Sequence, residues 1–233
     1  MCACRGASNS LQVVLLLHNK LSGTIPKSWA AMLGLLVLNV EGNQLTGTIP
    51  SMWASKALNA LWLHGNKLTG SLPVWPAPNL GIYDVGARTN TKCEGNLLSG
   101  SIPGESLARL MPRLEELMLL CNTFSGTLPA DMAKLSKLLW LDVSSNPLLQ
   151  GTIPESFGQL SKLEFLLVSD TSISGTIPKS IGDLQSLKVV DFSNSKLSGC
   201  IPASLAGQRY NIAVGSLSRL AVWKTTTNLT GLC

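Results

Sequence analysis

The stretch that decides the fold is residues 35–50, LLVLNVEGNQLTGTIP, in which apolar residues, an asparagine, a glycine and a proline stand at fixed intervals. Its first half alternates apolar and outward-facing positions around Leu38 and Val40, and a period of two is typical of a short strand with one buried face. Its second half, Leu45-Thr-Gly-Thr-Ile-Pro50, ends on a residue that has no amide hydrogen to donate to a strand ladder. The stretch therefore predicts a strand, a turn and a second short strand.

The second half of this stretch returns along almost the whole chain. Eight copies have an apolar first residue, a glycine in third place and a proline at the end, and they begin at Leu21, Leu45, Leu68, Leu98, Phe124, Leu149, Ile173 and Leu197. Successive copies lie 24, 23, 30, 26, 25, 24 and 24 residues apart, and a degenerate ninth begins at Leu229. A nearly constant period of this length indicates a solenoid built from stacked repeats.

Stacking of these repeats determines the expected architecture. Each first strand is expected to pair in parallel with its equivalent in the next repeat, about 4.8 Å away. The fold class predicted is an α/β repeat solenoid, a right-handed superhelix with a parallel β-sheet of eight or nine strands on its concave face. Short 3-10 or irregular turns are expected on the convex face, for example over 130–138 and 155–163. Residues 1–233 form a single domain, with 1–10 as the remnant of an N-terminal cap and 87–95 as an insertion.

An asparagine follows the first strand in six repeats: Asn19, Asn43, Asn66, Asn96, Asn122 and Asn146. Its amide group is expected to turn inward and to pair with loop groups that would otherwise be buried without hydrogen bonds. Thr171 and Ser195 take this position in later repeats. Their shorter side chains are expected to satisfy fewer groups.

The full pattern, L-x-x-L-x-L-x-x-N-x-L-x-G-x-I-P, covers residues 11–202 almost without a gap and resembles the plant-type leucine-rich repeat. Proteins with this repeat include plant receptor-kinase ectodomains, polygalacturonase-inhibiting proteins and leucine-rich-repeat surface antigens of trypanosomatid parasites. The sequences Trp29-Ala-Ala-Met32 and Val74-Trp-Pro76 tilt the resemblance slightly toward the last group. The resemblance implies an extracellular or cell-surface protein, of a receptor-like or adhesive kind, without a catalytic site.

The composition and motifs argue against several other classes of protein. Charged residues make up 13% of the chain, and the net charge of +5 is scattered rather than gathered into a patch for nucleic acid. No apolar run approaches the roughly 20 residues of a membrane-spanning helix. The two histidines, His18 and His64, accompany no phosphate loop, nucleophile elbow or metal-ligand spacing. We therefore expect no catalytic residues, no cofactor, no metal and no nucleic-acid partner.

Four of the six cysteines are expected to form two disulfides. Cys200 and Cys233 occupy nearly equivalent places in the last two repeats, and Cys93 and Cys121 belong to adjacent repeats. Parallel stacking brings such residues close together, so both pairs are predicted to be bonded in an oxidising compartment. Two further cysteines lie too close in sequence to pair comfortably with each other, namely Cys2 and Cys4.

The largest break in the repeat is the polar segment from Ala87 to Gly95, which carries Arg88, Lys92 and Glu94. Long surface insertions cost little free energy, so it is either a tolerated insertion or a loop that contacts a partner. Asn228-Leu-Thr230 is the sole glycosylation sequon, and it predicts a modified Asn228.

The solvent-facing strand positions are expected to gather on the concave face and to bind a partner. Large apolar and aromatic side chains beside a few charges have the composition of a binding hot spot. The predicted partner-binding residues are Trp62, His64, Asp84, Glu116, Met118, Trp140, Asp142, Phe165 and Asp191. The alternative is that neighbouring side chains cover one another along closely spaced strands.

Three functions remain open at this point. The first is an extracellular recognition module for a protein or peptide ligand, or for a glycan. The second is an inhibitor of a cell-wall-degrading glycosidase. The third is a structural or adhesive surface antigen that faces glycan or ice, because the position after the phrase glycine reads Thr, Thr, Ser, Ser, Thr, Thr, Thr, Cys.

Overall fold

The computed structural model describes residues 10–51, 53–87, 93–206 and 228–232. Each repeat contributes one strand before its turn and a second strand after it, and the two kinds of strand form two separate parallel sheets. In five repeats a short helix connects the second strand to the first strand of the next repeat. The predicted repeat solenoid with little regular helix is confirmed.

The first sheet has eight strands of three residues each. They are β1 (Val13–Leu15), β3 (Val37–Asn39), β5 (Ala60–Trp62), β7 (Ile82–Asp84), β9 (Glu116–Met118), β11 (Trp140–Asp142), β13 (Phe165–Leu167) and β15 (Val189–Asp191). Equivalent residues stand side by side, as Val37, Ala60 and Ile82 do. The middle residue of each strand turns to the core, and Leu61, for example, is completely buried.

The second sheet has nine strands, and it is formed by the phrase that carries the glycine. They are β2 (Ser22–Thr24), β4 (Gln44–Thr48), β6 (Lys67–Gly70), β8 (Leu97–Ser101), β10 (Thr123–Thr127), β12 (Leu149–Gly151), β14 (Ser172–Gly175), β16 (Lys196–Ile201) and β17 (Asn228–Leu232). The repeat pattern predicts these short strands but not their pairing into a second sheet, because a strand with one inward apolar residue shows almost no alternation.

Short helices follow six of the eight phrase prolines among the described residues. The α-helices are α1 (Lys27–Ala30), α2 (Gly104–Leu110) and α3 (Ala203–Ala206), and the 3-10 helices span Ala130–Lys134, Glu155–Gln159 and Lys179–Asp183. The two turns expected over 130–138 and 155–163 are confirmed as 3-10 helices. Each buries an apolar side chain, such as Met132 or Phe157. Among the described residues, no helix has the length and apolar character needed to cross a membrane.

One continuous core runs through the stacked repeats from Ile25 to Leu205. Its largest members include an aromatic group in which the rings of Trp53 and Trp75 lie 5.9 Å apart and those of Trp75 and Tyr83 lie 5.6 Å apart. The Tyr83 hydroxyl donates to the Pro73 carbonyl at 3.1 Å. Trp75, part of the Val74-Trp-Pro76 sequence, is therefore a packing residue of the core.

The asparagines form a ladder between repeats. The Asn66 side chain accepts from the Leu45 amide of the preceding repeat at 3.0 Å, and it donates to carbonyls of both repeats, including that of Val40. Thr171 bonds only groups of its own repeat, and Ser195 donates only to the Phe192 carbonyl in the hydrogen bonds that the structure shows for it. The expectation that these shorter side chains satisfy fewer groups is confirmed.

The residue before the ladder position, which holds an asparagine in five of these repeats and Thr171 or Ser195 in the other two, has a left-handed backbone in seven repeats, with φ between 50° and 64°. Two of these residues are glycines, Gly42 and Gly65, and the others carry side chains. A Cβ at Gly65 would lie 3.3 Å from the backbone nitrogen of Gly42 in the preceding repeat. This turn directs the chain from the first sheet to the second and sets the position of the ladder residue.

Candidate functional site

The candidate site is the side of the first sheet that points away from the core, which we call the outward face. It comprises the first and third residue of each strand and the residue two positions beyond, as Ala60, Trp62 and His64 illustrate on β5. All nine residues predicted to bind a partner lie at outward positions. The strand register inferred from the repeat therefore agrees with the structure.

The nine residues differ in their exposure. The half-buried ones are Trp62, Glu116, Met118, Trp140, Phe165 and Asp191. His64, Asp84 and Asp142 are each only 4% exposed, so the expectation that they face solvent freely is wrong. Strands about 4.8 Å apart place large side chains directly beside short ones, and the larger side chains cover them.

Two aromatic side chains stack on the sixth and seventh strands of the outward face. The rings of Trp140 and Phe165 lie 4.3 Å apart with planes 18° from parallel. The register causes this contact, because Trp140 on β11 pairs directly with Phe165 on β13. Each side chain remains partly accessible, so the stack offers an apolar surface on a rigid sheet.

The aspartates that end the strands bind their own backbone. The Asp142 carboxylate accepts from the Ser144 amide at 2.9 Å, and Asp84 accepts from Gly86 at 3.1 Å. Asp191 accepts from both the amide and the hydroxyl of Ser193. This structural role was not predicted, although an Asp or Asn followed two residues later by Ser or Gly is a recognisable signal of such a turn.

Asp142 has an unusual electrostatic environment. Burial raises the pKa of its carboxyl to about 7, and the hydrogen bonds from Ser144 offset part of that effect. The like charges of Asp191 and Asp84 raise the pKa further. Asp142 therefore exchanges its proton near neutral pH.

A chain of histidine and carboxylate side chains crosses the first four repeats of the outward face. Glu41, 2% exposed, has one carboxylate oxygen 3.3 Å from His18 Nε2 and the other 3.4 Å from His64 Nε2. His64 Nδ1 in turn lies 2.8 Å from Asp84 Oδ2, a close contact without aligned hydrogen-bond geometry. The sequence pattern gave no sign of Glu41 as the link between the two histidines.

These side chains are not arranged as a metal site. Among the described residues, no group of three or more His, Cys, Asp or Glu side chains is placed to hold an ion. The contacts of Glu41 and His64 run from strand to strand rather than converging on one point. The arrangement can therefore link neighbouring repeats through polar contacts of the buried Glu41, His64 and Asp84 side chains.

The insertion returns to the solenoid beside the outward face. A disulfide joins Cys93 to Cys121 across a Cα separation of 5.3 Å, in the pairing expected from the sequence. Cys121 packs with Ala87 and Leu120, and Met118 lies against this group. Glu94 is exposed, whereas Arg88 and Lys92 lie outside the described residues.

The remaining predicted cysteine and glycosylation sites are only partly described. Cys200 is disulfide-bonded, while its expected partner Cys233 lies outside the described residues, as do Cys2 and Cys4. The backbone of Asn228 begins β17, so the sequon lies on the last strand of the second sheet. Modification of Asn228 stays a prediction.

The exposed side of the second sheet carries a column of hydroxyl residues. Threonines follow the phrase glycine in five repeats, and all five are exposed: Thr24, Thr48, Thr127, Thr152 and Thr176. A Cβ built on Gly47 would lie 2.8 Å from the methyl carbon of Thr24, and the same relation recurs along the column. Each threonine methyl thus occupies the space left by the glycine of the next repeat, which gives these side chains a common orientation.

Comparison with known families finds repeats of one kind. A model described as leucine rich repeat matches residues 112–173, and a second with the same description matches 34–55 and 186–208. Receptor-like protein 39 of Arabidopsis thaliana is 39% identical over 79 residues, which is 33% of this chain and 9% of that protein.

Solved structures share the fold. The plant peptide hormone receptor RGFR1, in complex with RGF2, has a TM-score of 0.78 and 31% identity over 87% of this chain. The LRR ectodomain of the Arabidopsis receptor kinase HAESA, in complex with an extended IDA peptide hormone ligand, has a TM-score of 0.76 and 30% identity over 87%. The chain spans 31% and 32% of those two chains.

A plant ice-binding protein shares the fold alone, with a TM-score of 0.62 and 24% identity over 83% of this chain and 68% of that one. These similar proteins come from plants, which favours the plant groups over the trypanosomatid antigens suggested by Trp29-Ala-Ala-Met32 and Val74-Trp-Pro76. The repeat sequence, the stacked parallel sheets and these similarities identify the chain as a leucine-rich-repeat protein of the plant type.

Proposed function

We propose that the chain is an extracellular recognition module that binds a protein or peptide partner through the outward face. The observation that carries this proposal is the partly exposed Trp140–Phe165 stack on the sixth and seventh strands of the sheet. Trp62 and Met118 add further half-buried apolar surface on strands β5 and β9. Large, rigid aromatic side chains are the usual energetic anchors of an interface.

Two of the similar structures support a peptide as the ligand. RGFR1 is solved with RGF2, and HAESA with a peptide hormone ligand. This chain spans about a third of each, so a peptide partner for this chain is itself part of the proposal. We further propose that the outward face is the concave face, where a bound chain contacts several repeats at once.

We propose a binding role rather than a catalytic one. The buried acidic groups of the outward face are turned toward structural contacts, with Asp84 on Gly86 and Asp142 on Ser144. His64 lies between Glu41 and Asp84 and is 4% exposed, so a substrate would have little access to its ring. A general base needs hydrogen-bond reach to its substrate. The disulfides favour an oxidising, extracellular location.

The experiment that tests this role is selection from a random dodecapeptide library displayed on phage. Peptides are selected on the wild-type chain and then measured against Trp62→Ala and Trp140→Ala. We expect binding to weaken by about tenfold or more, because an anchor residue contributes roughly 2 kcal/mol. Thr127→Ala on the second sheet is the matched control and should leave affinity unchanged. Equal affinity for the wild type and both tryptophan variants would contradict the proposal and turn attention to the insertion from Ala87 to Gly95.

The threonine column supports a second candidate, a surface that orders water or binds hydroxyl-rich ligands such as ice or glycan. Its side chains share one orientation because each methyl packs beside the glycine of the next repeat. Strands about 4.8 Å apart repeat the hydroxyls at a constant spacing. The test is to measure thermal hysteresis of the wild type, of Thr48→Val and of Ser136→Ala as the control. Hysteresis that the wild type and the control show and that Thr48→Val loses would favour this candidate. No hysteresis would exclude the ice-facing form of it.

A further inference from the structure

Charge is strongly segregated on the outward face. Five of the chain's 13 acidic residues occupy outward positions, and they are Glu41, Asp84, Glu116, Asp142 and Asp191. None of the 18 Lys and Arg residues occupies such a position on the eight strands of the first sheet. The outward face is therefore an acidic strip on a chain whose net charge is +5. A field of one sign favours a ligand of the opposite sign.

Three of these acids stand in one column at the ends of alternate strands. The register aligns Asp84 with Met118, Met118 with Asp142, Asp142 with Leu167, and Leu167 with Asp191. The charges that act on the central carboxylate are the like charges of Asp191 and Asp84. A buried carboxylate flanked by like charges is a costly arrangement, and a ligand cation would relieve it.

The aromatic stack borders this column. Trp140 and Asp142 are the first and third residues of β11, so their side chains emerge on the same side of the sheet. Phe165 occupies the neighbouring position on β13 and stacks on the Trp140 ring. Lys188, beside the next strand, forms an ion pair with Glu164 at 2.6 Å rather than with this column. An aromatic surface next to carboxylates is complementary to a cation that has flat faces of its own.

We propose that the outward face binds a peptide through an arginine side chain, with the guanidinium over the Trp140–Phe165 stack and hydrogen-bonded to Asp191. This inference rests on the proposed function and names the chemistry of its ligand. Arginine fits better than lysine, because its planar group stacks on aromatic rings and pairs with a carboxylate through two parallel hydrogen bonds. Asp142, the buried central member of the column, acts on the guanidinium through its charge. An acidic peptide is disfavoured by repulsion.

The ionisation of Asp142 gives the inference a distinctive pH dependence. Burial sets its pKa at about 7 in the unliganded chain, and an adjacent cation favours the ionised form. Binding of an arginine peptide therefore releases a proton, and its affinity should rise between pH 6 and pH 8. The charged groups that act on Asp142 are Asp191 on β15 and Asp84 on β7, which contacts His64. Glu116 lies on the adjacent strand β9, opposite Trp140. Asp142→Asn removes the contribution of Asp142 ionisation to the pH dependence of binding and leaves these other groups ionisable.

The Asp142→Asn change is mild for the fold. Asn39 occupies the equivalent position on β3 and accepts the same backbone hydrogen bond, from the Glu41 amide at 3.0 Å. An asparagine at position 142 or 191 can therefore keep its turn. The matched control is Asp183→Asn, an exposed acid in the turn Lys179–Asp183, away from the outward face.

The test measures fluorescence anisotropy of labelled (Gly-Arg-Phe)4, with (Gly-Gln-Phe)4 and (Gly-Glu-Phe)4 as matched probes. We expect the arginine peptide to bind about tenfold more tightly than the glutamine peptide and the glutamate peptide to bind most weakly. Asp142→Asn and Asp191→Asn should each weaken arginine-peptide binding several-fold, and Asp183→Asn should not. The rise in affinity from pH 6 to pH 8 should flatten in Asp142→Asn.

The outcomes separate this inference from the proposed function. If the glutamine peptide binds as tightly as the arginine peptide, and both lose affinity in Trp140→Ala, the face binds peptides without selecting arginine and the inference is wrong. If arginine-peptide binding falls equally in Asp183→Asn, or is unchanged in Asp142→Asn and Asp191→Asn, the attraction is non-specific and the inference is also wrong. Affinities that are unaffected by Trp140→Ala overturn both the inference and the proposed function.

Discussion

Asp142 shows how one residue on the outward face serves two purposes. Its carboxylate closes the turn after β11 by accepting the Ser144 amide, and it contributes negative charge to the proposed binding surface. The first purpose is met equally well by an asparagine, as Asn39 demonstrates. The Asp142 carboxylate therefore lowers the free energy of unfolding relative to an asparagine at the same position, and this difference can be measured.

The stability of the chain should depend on pH through Asp142. The pKa of this carboxyl is raised from 3.8 to about 7 in the folded state, so the folded state binds more protons between these values. The free energy of unfolding should consequently fall as pH rises from about 4 to 7 and level off above about 8. Asp142→Asn removes this contribution, so its advantage over the wild type should grow across that interval. Urea unfolding of both proteins at pH 4 to 8 checks this, and parallel curves would contradict it.

A single glycine tests the left-handed turn. Gly65 has φ of 63°, and a Cβ there would approach the Gly42 backbone at 3.3 Å. Gly65→Ala should lower the free energy of unfolding by about 1–2 kcal/mol, because an L-residue is strained in this region. Gly81→Ala is the control, since a Cβ there meets nothing nearer than 3.7 Å. Equal thermal unfolding midpoints for the two variants would show that the turn imposes no such strain.

At the scale of the element, the ladder between repeats depends on the reach of asparagine. Asn146 accepts from the Phe124 amide and donates to the Leu119 carbonyl, both in the preceding repeat. A threonine, as Thr171 shows, bonds only within its own repeat. Asn146→Thr should lower the free energy of unfolding by about 2 kcal/mol through unpaired buried groups. Chemical unfolding measures this, with the exposed Asn59→Thr as the control, and matching losses in both variants would contradict the ladder's role.

The disulfide beside the insertion should stabilise its repeat pair. Cys93 and Cys121 close a loop with a sequence separation of 28. The double variant Cys93→Ser/Cys121→Ser should lose about 2–4 kcal/mol of unfolding free energy, because the unfolded chain gains freedom. Met118, which packs beside Cys121, should become more accessible at the same time. Unfolding of wild type and variant without reductant tests this, and an unchanged free energy would mean that the pairing adds nothing to stability.

The repeat pattern predicts the first sheet well and the outward face in part. A regular phrase fixes the register, so Trp140 and Phe165 could be placed side by side without a structure. Burial was harder to predict, because His64 and Asp142 are covered by neighbours on strands 20 or more residues away in sequence. Glu41 joins two histidines of different repeats, and no local pattern marks such a contact.

At the scale of the whole molecule, the two sheets present different surfaces. The first sheet places aromatic and acidic side chains on its outward face, and the second carries a column of hydroxyls with a common orientation. The core between them is continuous from Ile25 to Leu205, so each repeat is stabilised by its neighbours. This arrangement permits large side chains on the outward face to change without loss of the fold.

The central claim is that the outward face binds a partner while the inward side chains of the same repeats stabilise the fold. Paired measurement of melting temperature and of affinity for a peptide selected on the wild type tests it most directly, in Trp62→Ala, Trp140→Ala and Leu63→Ala. Both tryptophan variants should lose about 2 kcal/mol of binding and melt close to the wild type. Leu63 is completely buried, so Leu63→Ala should instead lower the free energy of unfolding by about 2–5 kcal/mol. Tryptophan variants that melt as early as Leu63→Ala, or that bind with full affinity, would contradict the account.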